Sequence, residues 1–174
     1  MESRRRRIRT TTVRWLLYSL TLLCAAALQT MPGFLRIGEC KPYFVLGIAL
    51  AVAVYEGEFY GALFGAVCGL LWDYLGGRTA GMLALGMMIL CFFSSVIVQL
   101  YLKPSSVNFF LMNAGAGLIL MSTDFLFFYL MRGYAAPLRR YFIVVVPEVL
   151  ISAALAVPVL YLIRRIADRF TLLD

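Results

Sequence analysis

Four long apolar runs, at residues 13–31, 80–102, 107–131 and 141–163, constrain this chain more than any other feature. Each approaches the roughly 20 residues that a helix needs to cross about 30 Å of hydrocarbon. The chain has 174 residues, 63% of them hydrophobic and only 14% charged. A water-soluble fold of that size has too little interior to hide so much apolar surface. Lipid is therefore the solvent these runs imply, and helices are the structure, because an isolated span must satisfy its own backbone hydrogen bonds.

A fifth apolar stretch, 42–75, is broken by Glu56-Gly57-Glu58. Each half has about 15 apolar residues, or about 22 Å of helix, so the stretch reads either as two short spans or as a re-entrant hairpin. The preferred reading is an all-α integral membrane protein, a compact bundle of about six transmembrane helices near 13–31, 42–55, 58–75, 80–102, 107–131 and 141–163. Residues 1–14 form a basic N-terminal flank, 13–163 the single membrane domain and 164–174 a basic C-terminal tail. The start of the chain also has the form of a cleavable signal, but the further spans favour a retained first helix.

Charge orients the bundle. With the N-terminus in the cytoplasm, the inner side holds Arg4, Arg5, Arg6, Arg7, Arg9, Arg14, Lys103, Arg164, Arg165 and Arg169, and the outer side Arg36, Lys41, Arg78, Arg132, Arg139 and Arg140. Ten inside against six outside follows the positive-inside bias and places both termini in the cytoplasm. Arg4 to Arg7 are the topology signal and the contact with anionic lipid headgroups. The net charge of +7 lies at ends and connections rather than among stacking aromatics, so no nucleic acid is expected.

Chemistry is sparse. There is no histidine, and the four cysteines show no CxxC spacing, so neither zinc nor Ser-His catalysis is expected and the thiols read as small apolar groups. No cofactor, metal or catalytic residue is assigned. The informative segment is 57–73, where Gly57, Gly61, Gly65 and Gly69 recur every fourth residue and Asp73 takes the next step. Such a series leaves a groove nearly free of side chains, and close backbone approach is a main source of helix association in lipid. Packing within the chain and docking of another protein's helix both fit it.

Asp73, Asp124 and Glu148 are acids within or beside apolar runs, each costing at least about 2.5 kcal/mol at mid-membrane. Partners are expected among Arg78, Arg132, Arg139 and Arg140, in an outward polar cluster. A structural ion-pair network is the simpler role; a solute or proton path is the other. Asn113 with Ala114-Gly115-Ala116-Gly117 marks a second small-residue surface.

At this point the chain resembles a known family, the bacterial rod shape-determining protein MreD. The resemblance rests on Ala27-Leu28-Gln29-Thr30-Met31-Pro32 closing the first span, Lys41-Pro42 before the second, and Gly61, Gly65 and Asp73 on the glycine helix. Gly76-Gly77, Gly81 and Leu83-Ala84-Leu85 follow, with Asp124 in the fifth span and Val157-Pro158 in the last. It implies a non-enzymatic scaffold of the elongation machinery in the bacterial plasma membrane, supporting lateral peptidoglycan synthesis and rod shape. It also implies a bitopic MreC-like partner, with links, direct or indirect, to RodA, a class B penicillin-binding protein and MreB. The alternative is a membrane subunit resembling the substrate-binding component of energy-coupling-factor vitamin transporters, similar in size and span number. Short external loops, poor in Asn, Gln and Trp, count against it.

Overall fold

The computed structural model describes residues 2–31, 40–77, 81–101, 105–127 and 141–171, with side chains from residue 10 to residue 169. Among them the chain forms six helices and no strand: α1 (Glu2–Thr30), α2 (Val45–Glu56), α3 (Glu58–Gly76), α4 (Met82–Leu100), α5 (Ser106–Phe125) and α6 (Val146–Thr171), the last entered through a π-helical turn at Tyr141–Val145. Five stretches are long and apolar enough to cross a membrane: Thr10–Thr30, Glu58–Gly76, Met82–Leu100, Ser106–Phe125 and Tyr141–Arg169. Helix α1 runs back to Glu2, through the basic flank, and α6 runs on to Thr171.

The ambiguous stretch resolves into two helices of unequal length. At 12 residues, α2 is about 18 Å long, shorter than the five others, and every residue from Val45 to Ala53 is buried. A helix that is apolar on all sides belongs in an interior, and α2 packs against each of the other five. Its start lies beside Gln29 of α1 and its end beside Arg14 of α1, so it carries the chain back along the first span. Gly57 then reverses the chain into α3 with φ +89°, a conformation that side chains with a Cβ rarely adopt.

The glycine series of α3 faces neighbours in the same chain. A methyl group at Gly61 would stand 2.5 Å from Cα of Ala53 on α2, and one at Gly65 would stand 2.7 Å from Sγ of Cys91 and 2.9 Å from the Met87 carbonyl oxygen on α4. At Gly69 it would stand 2.7 Å from both the amide nitrogen of Ala84 and the carbonyl of Leu83. Gly57 is not part of this seam; it is the turn. On α2, Gly47 makes the equivalent approach to α6, where a methyl would meet Cβ of Ala156 at 2.7 Å.

Large apolar side chains also cover much of the outer surface. Leu16, Leu20, Leu23, Leu63, Leu70, Phe93, Leu111 and Ile119 all project outward, an arrangement that water penalises and lipid accepts. Cys40, Cys68 and Cys91 are buried, whereas Cys24 is exposed on this surface.

The seam yields a paired test. Gly69→Ala should lower the thermal midpoint of the detergent-solubilised protein, by the 1 to 3 kcal/mol or so typical of overpacking. Gly115→Ala should not lower it, since nothing lies within 4 Å of a methyl there.

Candidate functional site

Polar groups gather at the two ends of α2, because a short helix inside a bundle leaves its terminal amides and charges below the surface. The N-cap residue, Phe44, has no side chain that can accept an amide, so the caps come from a distance. Oε1 of Gln29 on α1 accepts the amides of Phe44 (3.1 Å) and Val45 (3.3 Å). The amide of Tyr43 donates to Oγ of Ser152 at 3.0 Å, and that hydroxyl donates to the Glu148 carbonyl one turn back in α6 at 2.6 Å.

Above this junction, where α2 stops short, lies a cavity of about 500 Å³. Gln29, Lys41, Tyr43, Trp72, Asp124 and Glu148 contribute to its wall. Tyr43 and Trp72 pack ring to ring with centroids 5.3 Å apart. The structure thus brings together two of the three acids expected in a polar cluster, and adds Lys41. Asp124 is buried at 8% exposure, and neither it nor Glu148 is without a partner. Arg78, Arg132, Arg139 and Arg140, the expected counter-charges, lie outside the described residues.

Asp73 does not join that cavity wall. It is 1% exposed, and its carboxylate reaches across the turn to the start of α4. Oδ2 accepts the amides of Gly81 at 2.8 Å and Ala84 at 3.4 Å, and Oδ1 accepts Leu83 at 3.4 Å. An acid at a helix N-terminus answers both the orphan amides and the helix dipole. These amide contacts, rather than an arginine, are the described partners of Asp73. Its position one step beyond Gly69 puts it on the same seam, against the helix it caps.

At the other end of α2 the sequence reading missed an ion pair. Arg14 Nη2 lies 3.0 Å from Oε2 of Glu56, with side chains 18% and 6% exposed, and the Tyr18 hydroxyl donates to Oε1 at 2.8 Å. Trp15, Tyr18 and Phe64 form an aromatic cluster beside it, with centroids 5.8 to 6.5 Å apart. In the sequence Arg14 reads as flanking charge and Glu56 as part of a turn. The available signal was depth: the two close opposite strokes of one helical hairpin. Of Arg4, Arg5, Arg6 and Arg7 the structure describes only the helical backbone of α1.

Among the described residues no group of three or more Cys, Asp or Glu side chains converges to hold an ion. What the geometry offers, among the described residues, is a six-helix body with a recess beside the start of α2. The family model described as "rod shape-determining protein MreD" matches residues 9–168. The chain belongs to the MreD family. No curated protein and no solved structure gave a match. The MreD match runs from the first span through the basic end of α6, so it covers the cavity, the glycine seam and both ends of α2. The chain is accordingly a multi-pass membrane protein of a rod shape-determining family.

Three variants test these polar anchors. Glu56→Gln should destabilise the bundle by about 3 kcal/mol, because removal of one partner strands a mostly buried Arg14. The double variant Arg14→Met/Glu56→Met should recover most of that loss. Asp73→Ala should cost about 1 to 2 kcal/mol through the lost cap. Denaturant or thermal unfolding of the solubilised protein measures all three.

Proposed function

We propose that this chain is a non-enzymatic scaffold of the bacterial cell-elongation machinery, holding an MreC-like single-span protein in the plasma membrane and so supporting lateral peptidoglycan synthesis and rod shape. The observation that carries this reading is the MreD family match over residues 9–168. The short connections between helices support it, since they leave no room for a soluble catalytic domain. RodA, a class B penicillin-binding protein and MreB would be reached through that partner or directly. The positive-inside bias puts the end carrying Arg14 and Arg164 in the cytoplasm.

In this orientation the cavity with Lys41, Asp124 and Glu148 opens outward, where a juxtamembrane segment of the partner would run. The glycine seam is already filled by α2 and α4, so a partner's helix would pack on the outer face of the bundle. Gly61 and Gly65 would then affect complex formation only through the fold.

Co-expression with the MreC-like protein of the same organism tests the reading. The pair should co-purify from detergent, and Lys41→Glu should reduce the recovered partner severalfold while leaving the thermal midpoint of the chain alone unchanged. Loss of the gene should round the cells. Recovery of a bound vitamin and an ATPase module, with no MreC-like protein, would refute the scaffold.

A further inference from the structure

At the basic end, α1 and α6 line a second cavity of about 1210 Å³ that opens to the protein surface. Its wall joins two chemistries. Leu17 of α1, with Leu162 and Ile166 of α6, supplies an apolar part, and Arg164 and Arg165, between those two α6 residues, and Arg169, one turn after Arg165, supply positive charge. Leu162 is 49% exposed and Tyr161 54%; the Tyr161 hydroxyl lies 2.6 Å from Ser106 Oγ at the start of α5. An apolar floor therefore meets a cationic rim at the depth where an aromatic hydroxyl marks the membrane boundary.

The rim charges are not spent inside the protein. Arg164 Nε is 3.6 Å from Asp168 Oδ2, with the two side chains 55% and 64% exposed, a surface pair of little weight. Arg165 and Arg169 are exposed, four residues apart on one side of α6, and neither is in a described ion pair or hydrogen bond. Like charges at this spacing oppose each other, and an anion between them removes the conflict. The dipole of α6 accounts for positive charge near its C-terminal end. It does not account for a leucine-floored cleft beneath that charge.

We propose that this cleft is a site for one anionic phospholipid, its phosphodiester held between Arg165 and Arg169 and its acyl chain laid along Leu17, Leu162 and Ile166. The apolar floor selects a lipid over a free phosphate, which has no use for it. The cationic rim selects an anionic headgroup over a zwitterionic one, whose own ammonium would face the arginines. The site is independent of the scaffold reading and of any partner protein.

The test uses the full-length chain purified in detergent and supplemented with phosphatidylglycerol, phosphatidylcholine or inorganic phosphate, with bound lipid counted by native mass spectrometry. Phosphatidylglycerol should be retained in preference to phosphatidylcholine. Arg165→Ala/Arg169→Ala should weaken retention about thirtyfold, the weight of two arginines at a membrane surface. Leu17→Trp, which fills the floor and keeps the arginines, should also lower retention, while Arg165→Lys/Arg169→Lys should keep most of it. Both exposed arginines can be replaced without touching the core, and an unchanged thermal midpoint in the absence of added lipid checks that each variant is folded. Equal retention of the two lipids, no effect of the double alanine variant, or displacement by inorganic phosphate at the lipid's own concentration would each overturn the proposal.

Discussion

Everything in this bundle is arranged around a backbone that has no water to bond to. A helix of full length can leave its terminal amides and carbonyls at the membrane surface, but α2 cannot. At 12 residues, with Val45 to Ala53 buried, it begins and ends inside the protein, and the surrounding helices must bring polar groups to it. Gln29, Ser152 and the Arg14–Glu56 pair meet that requirement from α1 and α6. The same side chains fix how far each neighbour can slide along α2. Burial of an apolar helix and placement of the polar groups are thus one constraint.

The packing around α2 follows from residue size. Lipid gives no hydrophobic reason for two spans to associate, so contact area and close approach must hold them. The glycines of α3 allow the backbone of α4 to come near, and Gly47 does the same for α6. Asp73 ends the seam by capping α4, so α3 and α4 are joined both along their length and at the turn. The result is a body whose internal surfaces are used up, leaving its two end cavities and its outer apolar face for contact with other molecules.

Much of this was legible in the sequence. Long apolar runs report spans directly, because their length is set by the bilayer, and the order of Gly61, Gly65, Asp73 and Val157-Pro158 carried the family. Other elements left weaker marks. The apolar half before Glu56 is compatible with a short span, a re-entrant segment or a central helix, since periodicity says nothing when every side is apolar. The glycine series announced a close approach but not its partner. Caps from remote residues leave no local pattern, so Gln29 and Ser152 looked like ordinary polar residues near helix ends. Arg14 and Glu56 were visible as charges, and only their shared depth would have paired them.

The capping pattern also carries a sense of order along the chain. Asp73 reaches amides 8 to 11 residues ahead of it, so the α3–α4 hairpin can close as soon as both strokes have left the ribosome. The amide of Tyr43 must wait for Ser152, 109 residues later. During synthesis the most enclosed helix is therefore among the first made and the last to have its polar start completed. Until α6 arrives, the nascent bundle has a seam that any other polar group in the membrane can enter, and arrival of the last helix is the step that shuts it.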